Sequence, residues 1–209
     1  GILIGWSLGT AVITLVLYFM AVRNPMRAVA LAPAYAVIEG AFLGLFTMMV
    51  DGYLANAGYA VAGGVALQAF VITLAILISM LTLYYFRILQ ATPMFTRVVS
   101  TLVLGIFITY VVSFVVSLFG VQVPFITVFA TPTSGSGPWI GLGLNLFILL
   151  VASLLLIIDF KVIEDHIKAG SPKRIEWFLG FCLLVTLAWI YIEAVKLSAR
   201  VAILAGNRD

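Results

Sequence analysis

The chain has 209 residues, 64% of them hydrophobic and 9% charged, with a mean hydropathy of +1.24. Soluble domains carry roughly 25% charged residues, so this composition excludes a soluble enzyme and points to an integral membrane protein. The net charge of +3 comes from 11 Lys and Arg placed almost entirely between or beyond apolar runs, a pattern of topology signals rather than of a nucleic-acid surface, and no nucleic-acid partner is expected.

Spans of roughly 20 residues with short connections leave room for about six crossings and no separate catalytic domain. The apolar runs are Gly1 to Val22, Ala28 to Val50, Tyr59 to Phe86, Val98 to Phe119, Ile140 to Phe160 and Ile175 to about Ala205. Each is predicted to be helical, because backbone groups in lipid must pair within the segment; barrel strands would be shorter and alternating. The fifth helix is extended to residue 169, since DFKVIEDHIKAG after Ile158 holds helix formers and then a stopping Gly, and the sixth is placed over 173–205. The expectation is an all-α membrane protein, residues 1–209 forming a single transmembrane helical domain. The first residue is Gly and no charged segment precedes the apolar stretch, so no cleavable signal peptide is read and the native N-terminus is expected to be missing.

Lys and Arg set the orientation. Arg23 and Arg27 follow the first run, Arg87 and Arg97 the third, and Lys161, Lys168, Lys173 and Arg174 the fifth; loops 23–27, 87–97 and 161–174 are therefore expected to be cytoplasmic. The connections Asp51 to Gly58 and Gly120 to Pro138 hold no Lys or Arg, as an outer side requires. Lys196, Arg200 and Arg208 break this order, because a sixth full crossing ends outside. Either packing in the bundle overrides the charge rule or the last run is tilted or re-entrant; packing is the favoured expectation.

Between the runs, Gly120 to Pro138 with TSGSG at Thr133 to Gly137 is polar and irregular, either a plain connector or a lid over an outer mouth. Gly1, Gly5 and Gly9, and Gly40 with Gly44, have the small-residue spacing that lets helices approach closely. Cys182 is the only cysteine, so neither an internal disulfide nor a cysteine metal cluster is expected. No HExxH, GxSxG or phosphate-loop pattern occurs, and no enzymatic role or cofactor is expected.

Carboxylates inside apolar runs are the candidate site residues, since each costs roughly 2.5 to 3.5 kcal/mol at mid-membrane on insertion scales. Glu39 sits near the centre of the second run, with an apolar face that is expected to need a partner from another helix: Arg23, Arg87, Gln68 or Asn145 by type. Asp159 lies in the fifth run with His166 two turns further on the same face, a possible charge partner. Glu193 in the sixth shares a face with Thr186, Trp189, Lys196 and Arg200; it either pairs with Lys196 at i+3 or approaches Asp159 to form a shared site. Two carboxylates in one dry site titrate as a pair and, when ionised, suit a hard cation such as calcium. The ion or proton site is therefore expected at Asp159, Glu193 and Glu39, with Asp159 and Glu193 as the calcium ligands.

Three segments carry a resemblance to a known family. IDFKVI at Ile158 to Ile163 with its basic loop, and IYIEAVKL at Ile190 to Leu197, resemble the last two helices of the transmembrane Bax inhibitor motif family, whose final helix usually reads LYLDFINL. AYAVIEGAFLGL at Ala34 to Leu45 is similar to a Glu-bearing helix of its bacterial, YccA-like branch. The resemblance implies a seven-helix fold with a cytoplasmic N-terminus, the first helix lying before residue 1, and the last helix central in the bundle. It further implies a bacterial inner-membrane location and a pH-dependent calcium leak governed by a carboxylate pair on the final two helices, carried here by Asp159 and Glu193. In this chain the second carboxylate is Glu, and the two are further apart in sequence than is usual in the family. The competing expectation is a non-conducting regulator that binds another membrane complex, such as a membrane protease.

Overall fold

The computed structural model describes residues 2–59, 61–121, 123–126, 128–129 and 136–206; for 2–9, 11, 12 and 118 it describes backbone only. Among them are six α-helices: α1 (Ile2–Arg23), α2 (Ala28–Asn56), α3 (Gly64–Tyr85), α4 (Pro93–Leu118), α5 (Gly137–Lys168) and α6 (Lys173–Gly206), with a 3-10 turn at Pro25–Arg27 before α2. α2 to α6 are each long and apolar enough to cross a membrane, and α1 is a 22-residue helix of similarly apolar sequence. At 1.5 Å per residue, the 34 residues of α6 extend about 51 Å, well beyond the roughly 30 Å hydrocarbon layer. Large apolar side chains stay exposed over α3 and α4, Phe70, Ile78, Leu104 and Phe114 among them, which suits a lipid surround.

α6 is the central helix, packed against α5, α2 and α3. It contributes to all three apolar clusters of the core: Ala194, Val195 and Ala199 with Val50, Leu54 and Val65; Ile190 with Leu149, Leu156 and Phe160; and Phe181 with Ala21, Ala32 and Tyr35. Alanine at positions 194 and 199, both wholly buried, lets neighbouring backbones come close. α6 runs without a break from Lys173 to Gly206, so it is one continuous helix and not a re-entrant hairpin.

Several helix ends differ from the sequence expectation, each with a local cause. α2 continues six residues past Val50, to Asn56, and Asp51 on that extension accepts from the Val65 backbone N–H at 3.2 Å, satisfying an orphan donor in the first turn of α3. α3 accordingly starts at Gly64 and not at Tyr59, after left-handed Gly58 and Gly63. α4 starts at Pro93 and not at Val98, because Thr92 caps it by accepting from Phe95 N–H at 3.2 Å with Pro at the first helical position. The end of α5 at Lys168 lies within one residue of the expected 169, where Gly170 at φ 63 turns the chain toward α6.

Phe178 and Phe181 pack with Ala21, Ala32 and Tyr35, and Tyr84 Oη donates to Glu164. The α1–α2, α3–α4 and α5–α6 connections therefore lie at one end of the bundle, which gathers Arg23, Arg27, Arg87 and the Lys161 to Arg174 segment there. At the opposite end the described part of the 119–136 connection packs inward: Val128 is buried in the core, and Phe129 sits edge-on to Tyr53 at 5.2 Å. Thr133 to Gly135 and Gly1 lie outside the described residues, as do the surroundings of Gly5 and Gly9. Gly40 and Gly44 are exposed, and a Cβ built on either would meet nothing within 4 Å; that pair faces outward and is not a helix contact.

Candidate functional site

In the half of the bundle away from the basic end, α6 carries Glu193, which is 0% exposed. Three helices satisfy it. Tyr110 of α4 donates to Oε1 at 2.5 Å, Lys196 one turn along α6 places Nζ 2.5 Å from the same oxygen, and Asn145 of α5 donates through Nδ2 to Oε2 at 2.7 Å and to the Glu193 carbonyl at 3.2 Å. Lys196 closes the ring by donating to Tyr110 Oη at 2.9 Å, with Nζ 4.9 Å from the centre of that phenol ring. One turn further, Arg200 is 2% exposed and donates through Nη2 to the carbonyl of Phe125 at 2.5 Å, while its Nε and Nη1 have no hydrogen-bond partner among the described residues. Among the described residues the cluster thus holds two cations and one carboxylate. Buried charges persist only when paired and hydrogen-bonded, and here the pairing ties α4, α5 and α6 together.

This geometry accounts for two of the three basic residues that break the charge rule; the third, Arg208, lies outside the described residues. Lys196 and Arg200 are not tail charges facing a membrane surface but interior groups held by Glu193, Tyr110 and a loop carbonyl.

Asp159 is elsewhere. Its carboxylate is half-buried and accepts from Thr186 Oγ1 at 2.6 Å. Asp159 stands nine residues before the end of α5 and Glu193 twenty after the start of α6, so at 1.5 Å per residue their depths below the hairpin turn differ by about 16 Å. The expected carboxylate pair is therefore not formed, and the two do not share a calcium site: the α5–α6 hairpin is antiparallel and tightly turned, and nothing shortens the longer arm. Among the described residues, no group of three or more His, Cys, Asp or Glu could hold a metal ion. His166 is turned away as well; its Nδ1 hydrogen-bonds Ser171 Oγ at 2.8 Å in the α5–α6 turn and does not serve Asp159.

Glu39 is 8% exposed on α2 and is hydrogen-bonded by Thr14 of α1 and by Tyr35 on its own helix. The expectation that its face could not satisfy it locally is corrected by Tyr35, one turn before it, whose ring stands edge-on to Phe181 of α6 at 4.9 Å. The four expected partners are engaged elsewhere or remote: Arg23 and Arg87 are exposed at the basic end, Gln68 donates to the Ala62 carbonyl, and Asn145 serves Glu193. Glu39 lies eleven residues into α2, about 16 Å from the basic end, a depth close to that of Asp159.

Sequence reasoning missed Tyr110 and Thr14 and left Arg200 without a role. Tyr110 is a phenol well inside an apolar run, and Thr14 a hydroxyl within another; both are the kind of isolated polar group that membrane helices use across their interfaces.

A family model described as Bax inhibitor 1 like matches residues 2–202. No curated protein and no solved structure matches the chain. The match covers nearly every helix that builds the bundle, including the central one, and the chain belongs to the Bax inhibitor 1 like family.

Proposed function

We propose that this protein is a proton-sensitive cation leak, with calcium as the cation, in a bacterial cytoplasmic membrane, and that loops 23–27, 87–97 and 161–174 face the cytoplasm. The observation that carries the reading is that Glu39 and Asp159, at similar depth in the basic half of the bundle, have hydroxyl partners but no cationic one among the described residues. Carboxylates left without a countercharge inside a membrane bundle are costly and mark ion or proton sites by default. In this reading Glu39 and Asp159 act as separate protonation sites below the network around Glu193, which keeps the outer half closed. No catalytic step is assigned to any residue.

The test is calcium entry into proteoliposomes that enclose a calcium-sensitive dye, across roughly pH 6 to 8, where perturbed carboxylates change charge. A flux that varies with pH, and a profile that flattens in Asp159→Asn or Glu39→Gln, supports the leak. A second reading, a non-conducting regulator of another membrane complex such as a membrane protease, is favoured by the ion pair of Glu193 with Lys196, which neutralises the carboxylate a cation path would use. Absence of flux together with copurification of such a complex selects it.

A further inference from the structure

The cluster around Glu193 has the composition of a cation site. Glu193 Oε1 and Tyr110 Oη both face one position, at 2.5 and 2.9 Å, and Asn145 Nδ2 holds the other carboxylate oxygen at 2.7 Å, fixing how the carboxylate is presented. Carboxylate and phenol oxygens are among the donors a hard cation selects. The position is held by Nζ of Lys196, delivered from one turn along the same helix.

We propose that Lys196 is a tethered cation that fills, and so closes, a cation subsite made by Glu193 and Tyr110. The ammonium cannot diffuse away, so the outer half of α6 takes up no free cation while Lys196 is in place. Truncating Lys196 to alanine removes the charge and vacates the room of three stem carbons and the ammonium, turning the cluster into a site for a small free cation. The consequence for conduction, that Lys196 sets the resistance of the outer half, rests on the cation-leak reading; binding at the subsite does not.

The experiment uses the purified full chain in detergent, as wild type, Lys196→Ala and the double variant Glu193→Gln/Lys196→Ala. Thermal unfolding is followed in calcium chloride, methylammonium chloride or choline chloride at matched ionic strength, and calcium binding is measured by equilibrium dialysis. Lys196→Ala should melt below wild type in choline chloride, recover saturably with calcium or methylammonium, and bind calcium at least about tenfold more tightly than wild type, a difference of about 1.4 kcal/mol. The double variant should lose both the recovery and the binding. Equal melting of Lys196→Ala in all three salts with no gain in binding overturns the proposal, as does recovery that persists without Glu193. If Lys196→Ala does not fold, Lys196→Met is measured in the same salts, and failure of both to fold in saturating calcium or methylammonium also overturns it. Lack of flux through wild-type proteoliposomes would sink the leak reading and leave these binding results standing.

Discussion

Replacing Tyr110 by Phe deletes one oxygen and little else, and that oxygen touches both charges of the buried pair, 2.5 Å from Glu193 and 2.9 Å from Lys196. A hydrogen bond to a charged group contributes about 1.5–3 kcal/mol. Glu193 and Lys196 keep each other at 2.5 Å in the variant, and the ring still fills its place between α4 and α6, so no cavity term is added. The expected loss is therefore near that of one such bond, about 2 kcal/mol. The assay is reversible unfolding in mixed micelles, with Tyr85→Phe as control: Tyr85 is 78% exposed, and surface changes of this kind stay within about 0.5 kcal/mol. A Tyr110→Phe protein as stable as the control would refute the arrangement, because it would mean that the phenol does not reach the ion pair.

Three further outcomes follow from the same geometry. Glu193→Gln leaves Lys196 buried without its countercharge and should cost about 3–5 kcal/mol in the same assay, most of it recovered in Glu193→Gln/Lys196→Met. Glu39→Gln keeps an acceptor for Thr14 and Tyr35 and creates no unpaired cation, so its unfolding free energy should lie within about 1 kcal/mol of wild type; a loss as large as that of Glu193→Gln would mean that Glu39 has a hidden cationic partner. Thr92→Ala removes the cap on α4 and should destabilise by about 1 kcal/mol, with faster hydrogen exchange confined to residues 93–96; protection unchanged there would show that the cap contributes nothing.

The helices and their central member were legible because lipid admits few alternatives: runs of this length must be helices, and IYIEAVKL marked the last of them. The ends were less legible. Tyr59 to Gly63 is apolar enough to read as helix, and only the left-handed glycines and the reach of Asp51 to Val65 decide that α3 starts at Gly64. Glu193 and its i+3 neighbour Lys196 could be placed on one face from spacing alone, but whether an ion pair is exposed or buried is a property of the surrounding helices, which periodicity does not report. Asp159 and Glu193 were expected to meet as carboxylates inside apolar runs and through resemblance, while the residue count on either side of the turn at Gly170 already separates their depths. Tyr110 could not be found from its own helix, since its partners are 83 and 86 residues away in sequence.

The account turns on Glu193 being coupled to Lys196 and not to Asp159. Two double-mutant cycles in the unfolding assay measure this, one combining Glu193→Gln with Lys196→Met and the other combining Glu193→Gln with Asp159→Asn. The structure predicts an interaction energy of about 1–3 kcal/mol in the first cycle and additivity within about 0.5 kcal/mol in the second. Strong coupling between Asp159 and Glu193, with none between Glu193 and Lys196, would contradict it.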